Sequence, residues 1–200
     1  MRLPDQTGAA RHPLRVRGAD CYETPVEAVH ALLAAEKGNV PRFVWEPCCA
    51  TCNVAGVLRS AGIQVWATDL IDYGSPQQNQ AGVDFLLQRR APDGCLGAIS
   101  NPPYQLATQF IEHAIGLVPY TAMLLRLCFI EGVRRSHILD RHLARIHVFA
   151  NRLPRMHRRG WEGPRATSQV AFAWFVFLRD YGGPIVLDRV MWRRFGETAP

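Results

Sequence analysis

The sequence predicts an α/β fold in which a mostly parallel sheet is covered by helices on both faces. Short apolar runs alternate with segments that carry apolar residues at helical spacing between residues 24 and 150. The runs contain few polar residues, which is typical of strands that are buried on both faces. Near the carboxyl end, two strand patterns are separated only by Arg179–Gly183, and this short spacing predicts an antiparallel hairpin.

The first predicted helix begins after Thr24. In the run Thr24-Pro25-Val26-Glu27, threonine can cap a helix, proline suits its first position, and Glu27 completes a capping box. Apolar residues at helical spacing extend this helix to about Lys37, and Gly38 ends it.

The other elements follow from the same patterns. Strands are predicted at residues 43–45, 63–68, 83–86, 96–100, 120–127, 145–150, 169–178 and 184–192, and helices at 53–61, 105–117 and 131–143. Residues 1–20 show no periodicity and are predicted to form a flexible amino-terminal arm. Residues 21–200 are predicted to form one domain, with a basic loop at 151–169.

The composition excludes several classes of protein. A chain of 200 residues that is 48% apolar can bury a real core, which excludes a disordered chain. The longest uninterrupted apolar run, 170–178, has nine residues, whereas a membrane helix needs about 20. The polar amino terminus has no apolar stretch that could act as a signal peptide. We therefore expect a cytoplasmic protein with no membrane segment, present as a monomer or a weak dimer.

The charge of the chain is strongly positive and is concentrated in one region. The 23 basic and 17 acidic residues give a net charge of +6, and Lys37 is the only lysine. Residues 134–165 hold nine arginines against two acids, and the segment 151–169 is too long for an ordinary loop. Arginines with an interleaved aromatic ring suit phosphate contacts and base stacking. The predicted nucleic-acid contacts are Arg155, Arg158, Arg159, Trp161 and Arg165, and the alternative is a solvated basic face with the tryptophan packed on the sheet edge.

Three of the six cysteines form a cluster. Cys49 and Cys52 have the spacing of a CxxC pair, and Cys48 precedes them. A zinc site needs a second pair of ligands, and no other pair in the sequence has suitable spacing. The sequence therefore predicts neither a metal site nor a redox dithiol, and the cysteines are expected to be free thiols.

Functional side chains are expected directly after the strands, because ligands of open α/β sheets bind beyond the carboxyl ends of the strands. Asp69 ends the second predicted strand. A carboxylate at this position can accept hydrogen bonds from both ribose hydroxyls of a nucleoside cofactor. An aspartate at a strand end is equally often a cap or turn residue, so this signal is weak alone.

The run Asn101-Pro102-Pro103-Tyr104 is a more specific signal. The prolines fix the backbone and leave carbonyls free to accept, while Asn101 adds an amide oxygen and Tyr104 a flat face. This set suits an amino group on a planar ring, because two acceptors localise the nitrogen lone pair while the ring stacks on the tyrosine. The alternative is a rigid turn in which the asparagine only caps a helix.

These residues together resemble a known family. The run Asn101–Tyr104 after a strand, preceded by Trp45-Glu46-Pro47, Thr68-Asp69 and Asp84-Phe85, looks like the class I S-adenosylmethionine-dependent amino methyltransferases. It is most similar to the adenine-N6 DNA type found in bacteria and phages. The resemblance covers roughly residues 20–192, and it implies a Rossmann-like, seven-stranded sheet with a reversed last strand, which agrees with the predicted hairpin.

The resemblance also implies roles for individual residues. The implied contacts to S-adenosyl-L-methionine are Tyr22, Thr24 and Pro25 for the methionine part, the loop residues Glu46, Pro47, Cys48, Ala50, Cys52 and Asn53, Asp69 for the ribose, and Asp84 and Phe85 for the adenine. In the implied catalytic run, the amide of Asn101 and the carbonyl of Pro102 accept from the target amine. Pro103 completes the rigid turn, and Tyr104 stacks on the flipped base.

The chain departs from the family in its cofactor loop. The family has glycines where this chain has Ala50 and Cys52. Glycine is used there for positive backbone angles and for close approach to the ligand. We therefore expect either strained angles or a wider loop, with cofactor affinity weakened roughly tenfold.

The resemblance implies methyl transfer from S-adenosylmethionine to adenine N6, with DNA as the partner. Cytosine N4, an RNA base or a protein glutamine stays open as the acceptor, because each presents a planar amino group. A different class also stays open, namely a weak or inactive enzyme that binds nucleic acid. Ala50 and Cys52 favour this second class, whereas the intact run Asn101–Tyr104 argues against it.

Overall fold

The computed structural model describes residues 22–154, 156 and 170–192. The predicted arm lies outside these residues, as do all five predicted nucleic-acid contacts, Arg155, Arg158, Arg159, Trp161 and Arg165. Within the described residues, no helix combines the length and the apolar character that crossing a bilayer requires.

The described part of the chain contains seven strands and four α-helices. The strands are β1 (Phe43–Glu46), β2 (Gln64–Ala67), β3 (Gly97–Ser100), β4 (Tyr120–Arg126), β5 (Leu143–Phe149), β6 (Phe172–Leu178) and β7 (Val186–Val190). The helices are α1 (Val26–Ala35), α2 (Asn53–Ser60), α3 (Ala107–Leu117) and α4 (Ser136–His142).

The strands form one sheet in the order β2-β1-β3-β4-β6-β5-β7. Strand β6 runs antiparallel to both of its neighbours, and every other neighbouring pair is parallel. One buried apolar cluster joins α1 and α2 to the sheet, and a second joins α3 and α4 to it. The predicted α/β architecture, with helices on both faces of a mostly parallel sheet, is confirmed.

The last two strands do not pair with each other as a hairpin. Strand β6 lies between β4 and β5, and β7 pairs in parallel with β5 at the edge of the sheet. Six of the seven residues of β6 are buried, whereas four of the five residues of β7 are exposed. Because a buried strand must pair its backbone groups on both edges, β6 occupies the interior and leaves β7 at the edge.

Two local predictions are wrong. Residues 83–86 form no strand, because the carboxylate of Asp84 accepts from the Leu86 N–H at 3.0 Å and turns the chain into a short 3-10 helix, Phe85–Leu87. Thr24 does not cap α1: Pro25 occupies the cap position, and no side chain makes a capping hydrogen bond there. Thr24 instead is buried, and its carbonyl accepts from the side chain of Asn53 at 3.0 Å.

A buried carboxylate anchors the carboxyl end of α1. Glu36 is fully buried and accepts from Arg145 Nε and Nη2 at 2.6 and 2.8 Å, while His147 Nε2 lies 2.6 Å from Oε1. The Tyr120 hydroxyl lies 3.4 Å from Oε2. Burial by itself raises the pKa of Glu36, but the hydrogen bonds from His147 and Arg145 outweigh it and leave the pKa below its ordinary value. This network ties α1, and with it the segment that precedes α1, to β4 and β5.

Candidate active site

The carboxyl ends of β1, β2 and β3 open onto a cleft of about 140 Å³. The cleft lies beside β1, where the chain order of the strands reverses, which is the usual ligand position in open α/β sheets. The predicted site residues that line it are Tyr22, Thr24, Glu46, Cys48, Ala50, Asn53, Asp69, Asn101 and Pro103.

Several predicted site residues do not line the cleft. They are Pro25, Pro47, Cys52, Asp84, Phe85, Pro102 and Tyr104. Phe85 is only 2% exposed, and its ring centre lies 5.1, 5.1 and 4.9 Å from those of Trp45, Phe110 and His113. The structure therefore places Phe85 in the hydrophobic core, and its side chain does not border the cleft.

Four cleft residues were missed by the sequence reasoning, namely Val54, Leu70, Ile71 and Tyr73. Cys49 and Thr51 also line the cleft, and they lie within the predicted cofactor loop, residues 46–53. Leu70 and Ile71 are 61% and 38% exposed, which makes them apolar surfaces at the rim of the cleft. The available signal was their position directly after Asp69, since a loop that carries one ligand contact commonly carries others.

The loop after β1 is a tight turn with two strained residues. The Cys52 N–H donates to the Cys49 carbonyl at 2.6 Å, which closes the turn. Ala50 and Cys52 have φ values of 46° and 66°, in the left-handed region that favours glycine. Of the two expected outcomes, strained angles and a wider loop, the chain adopts strained angles at both positions. The Ala50 N–H, held by this turn, donates to Asp69 Oδ2 at 2.9 Å.

The strain at Ala50 leads to a stability prediction. A non-glycine residue in the left-handed region is strained, and this strain lowers the free energy of unfolding. We expect Ala50→Gly to raise the free energy of unfolding by about 1 kcal/mol. Ala34→Gly, the same change at an exposed position inside α1, is expected to lower it by about 1 kcal/mol. Urea denaturation of both variants measures the two values, and equal destabilisation would contradict the strain at Ala50.

Asp69 lies at the end of β2 with its carboxylate partly engaged. Oδ2 accepts from the Ala50 N–H, and Oδ1 accepts from the Ile71 N–H at 3.0 Å. Burial raises the pKa of Asp69 above its ordinary value, although these backbone hydrogen bonds partly oppose the effect. A carboxylate offers about four lone-pair sites, so further donors can bind to the same group.

Glu46 has a structural task at the start of α2. It is 2% exposed, and its Oε2 accepts from the Ala55 N–H at 2.8 Å. Burial, reinforced by the neighbouring Cys52, raises the pKa of Glu46 well above its ordinary value. The side chain therefore holds the beginning of α2 against the end of β1, which fixes both ends of the loop between them.

Asn101 presents an unpaired acceptor at the end of β3. Its Nδ2 donates to the Tyr22 carbonyl at 3.3 Å and lies 3.6 Å from Met156 Sδ. Its Oδ1 is buried and has no hydrogen-bond partner among the described residues. An unsatisfied buried polar atom costs about 1–3 kcal/mol, so a donor that reached it would be bound favourably.

Tyr104 stands beside Asn101 with its ring in contact with three side chains. The Tyr22 ring is stacked on it at 5.6 Å with an angle of 27°, and the Phe172 ring centre lies 6.1 Å away. The guanidinium carbon of Arg126 lies 5.0 Å from the ring centre. A planar guest that stacks on Tyr104 must therefore displace one of these neighbours.

Comparison with solved structures identifies the fold. A protein from Listeria monocytogenes, provisionally assigned to the class I S-adenosylmethionine-dependent methyltransferases, is similar with a TM-score of 0.58 and 14% identity over 86% of this chain and 67% of that one. A provisionally named RNA methyltransferase from Pyrococcus horikoshii gives 0.55 and 14% over 79% and 87%. The methyltransferase subunit of a type I restriction-modification system from Streptococcus thermophilus gives 0.57 and 11% over 80% of this chain but 45% of its own. The chain has the Rossmann-like methyltransferase fold.

Sequence comparison adds nothing to this result. No protein-family model matches the sequence, and no curated protein matches it. At identities of 11–14%, the structural likeness establishes the fold alone.

Proposed function

We propose that the protein transfers a methyl group from S-adenosylmethionine to an exocyclic amino group of a nucleic-acid base, with adenine N6 in DNA as the acceptor. The observation that carries the proposal is the buried Oδ1 of Asn101, which has no hydrogen-bond partner in the described part of the chain and belongs to a residue that lines the cleft. An amino group is a donor that this atom can accept from.

The residues of the cleft fit S-adenosylmethionine. Asp69 has acceptor sites left for ribose hydroxyls, and the exposed side chains of Leu70 and Ile71 offer apolar surface for the adenine ring. Tyr22 and Thr24 also line the cleft, and the Thr24 carbonyl accepts from the side chain of Asn53 at 3.0 Å. When bound, the cofactor supplies a methyl group on a positively charged sulfur, which a nitrogen lone pair can attack.

The chain itself contributes positioning and an acceptor. Asn101 Oδ1 would take one N–H of the target amine and thereby localise the nitrogen lone pair. The stacked ring of Tyr104 would hold the plane of the base, in the place of one of its present neighbours. Orienting two reactants in this way lowers the barrier without a covalent intermediate.

The choice of nucleic acid as the partner is supported by charge. Residues 134–165 carry a net charge of +7 by residue count. Three exposed arginines among the described residues lie near the carboxyl ends of β4 and β5, which are on the same edge of the sheet as the cleft. Arg126 is the last residue of β4, Arg134 follows β4, and Arg152 follows β5. A surface of this kind favours a phosphate backbone over a protein acceptor.

Calorimetry and radiolabel transfer test the proposal. We expect S-adenosylmethionine to bind and its methyl label to pass to DNA more readily than to RNA or protein, with N6-methyladenine as the labelled nucleoside after digestion. Labelled N4-methylcytosine would change the acceptor and keep the reaction. Binding of DNA with no cofactor binding and no transfer would favour the inactive binding protein that the altered cofactor loop suggests.

A further inference from the structure

Two cysteines face each other across the turn that follows β1. Cys49 and Cys52 are its first and last residues, and the backbone hydrogen bond between them is 2.6 Å long. The Cα atoms at the ends of such a turn lie within about 7 Å, which overlaps the separation of about 4.4–6.8 Å in disulfides. Forming a disulfide therefore requires little movement of the chain.

The pair has the electrostatics of a reactive dithiol. The hydrogen bond from Cys49 is the largest influence on Cys52 and, with Ser75 and Arg59, lowers the pKa of Cys52 to about 6 against the opposing effect of burial. The same hydrogen bond, together with burial, raises the pKa of Cys49. At neutral pH, a thiolate and a thiol then share one proton, as in reactive CxxC pairs.

Both cysteines are almost completely buried, with exposed fractions of 2% for Cys49 and 1% for Cys52. Cys49 borders the cleft, whereas Cys52 does not line it. All five cysteines that the structure describes are free thiols. The cleft is therefore the side from which an oxidant can approach the pair, at Cys49.

We propose that Cys49 and Cys52 form a reversible dithiol and disulfide couple within the cleft, exchanged with a low-molecular-weight disulfide such as oxidised glutathione. The Cys52 thiolate takes the proton of Cys49, and the Cys49 sulfur attacks one sulfur of the glutathione disulfide, releasing one glutathione thiolate. Cys52 then loses this proton and attacks the Cys49 sulfur, which releases the second glutathione thiolate. The protein gives up two electrons and two thiol protons, and the glutathione disulfide becomes two thiols.

The couple has a consequence for the cofactor, and this part rests on the proposed function. Oxidation removes the negative charge of Cys52 from the turn that holds Ala50 on Asp69, and it stiffens that turn. S-adenosylmethionine is cationic at sulfur, so the reduced protein should bind it at least tenfold more tightly. By linkage, each tenfold preference of the cofactor for the reduced over the oxidised protein raises the midpoint potential of the couple by about 30 mV when the cofactor is bound.

Peptide mass measurement tests the couple independently of any activity. The full chain is equilibrated with mixtures of reduced and oxidised glutathione, alkylated and digested with trypsin, which yields the peptide Phe43–Arg59. In a Cys48→Ser background this peptide contains only Cys49 and Cys52, so the loss of two hydrogens identifies their disulfide. We expect a single transition within the range of the glutathione mixtures. Cys49→Ser should abolish it, and Cys128→Ser, an exposed cysteine elsewhere, should leave it unchanged.

Two results would overturn parts of the proposal. No disulfide in this peptide at the highest oxidised fraction would refute the couple. Equal affinity of the oxidised and reduced chain for S-adenosylmethionine, measured by calorimetry, would refute the effect of the disulfide on cofactor binding. No binding by either form would refute the proposed function and the coupling together, while the peptide masses would still decide the disulfide.

Discussion

The Asn101→Ala protein is expected to transfer methyl groups on the order of 10²–10³ times more slowly than the native protein in single turnovers. The substitution removes Oδ1, the acceptor whose interaction with the target amine should strengthen as the lone pair is used for bonding. It leaves Asp69 and the turn at Ala50 in place, so affinity for S-adenosylmethionine should change little. Rapid-quench radiolabel transfer and calorimetry measure the two quantities separately.

A matched control separates this effect from a general loss of structure. Gln109→Ala shortens an exposed amide side chain on α3, at a position that does not line the cleft. Its transfer rate should match that of the native protein. If Asn101→Ala also keeps the native rate, Asn101 is only a turn residue and the proposed acceptor role is wrong.

The Glu36→Ala protein is expected to lose about 3–5 kcal/mol of unfolding free energy. The substitution leaves Arg145 and the buried ring of His147 without their carboxylate partner. Glu112→Ala provides the control, because it removes a contact with His137 that is mostly exposed and should cost about 1 kcal/mol or less. Urea denaturation at neutral pH compares the two, and a similar small loss in both would contradict the anchoring role.

The pH dependence of the unfolding free energy provides a second test of the role of Glu36. Its pKa is lowered in the folded protein, so its stabilising contribution is present above the ordinary carboxyl value of about 4.3 and is lost as the pH falls through the folded value. The difference in unfolding free energy between native protein and Glu36→Gln should therefore shrink below about pH 4.3. A difference that stays constant down to the acid transition would show that the charge of Glu36 is not what stabilises the fold.

The elements of the fold were predictable because their signals are local. Alternating apolar runs and helical spacing located all seven strands and all four helices of the described chain to within a few residues, apart from the late start of α4 at Ser136. The pairing of β6 was not predictable, since Arg179–Gly183 is long enough to pass β5 as well as to turn a hairpin. Neighbour choice depends on which strand is buried on both edges, and that is a property of the whole sheet.

The candidate site was predictable where residues follow strands directly. Asp69 and Asn101 lie at the cleft because topology gathers the carboxyl ends of parallel strands. The prediction for Phe85 failed because an aromatic residue after an aspartate gives the same sequence pattern whether its side chain faces a cleft or the core. Glu36 gave no signal at all, since a glutamate beside Lys37 at a helix end is typical of a solvated surface and its partners are more than 80 residues away.

In the proposed reaction, the hydrogen bond from Asn101 to Tyr22 would also sort the four bases into two groups. Because Nδ2 is held by a carbonyl, which can only accept, the oxygen of the amide must face the incoming base. Adenine and cytosine offer an amino group at the corresponding edge, whereas guanine and thymine offer an oxygen, which this amide repels. Under the proposed function, the amide would therefore reject oxo bases by chemistry and leave purine and pyrimidine to be distinguished by size. That second choice would fall to the side chains packed around Tyr104, among them Arg126 and Met156.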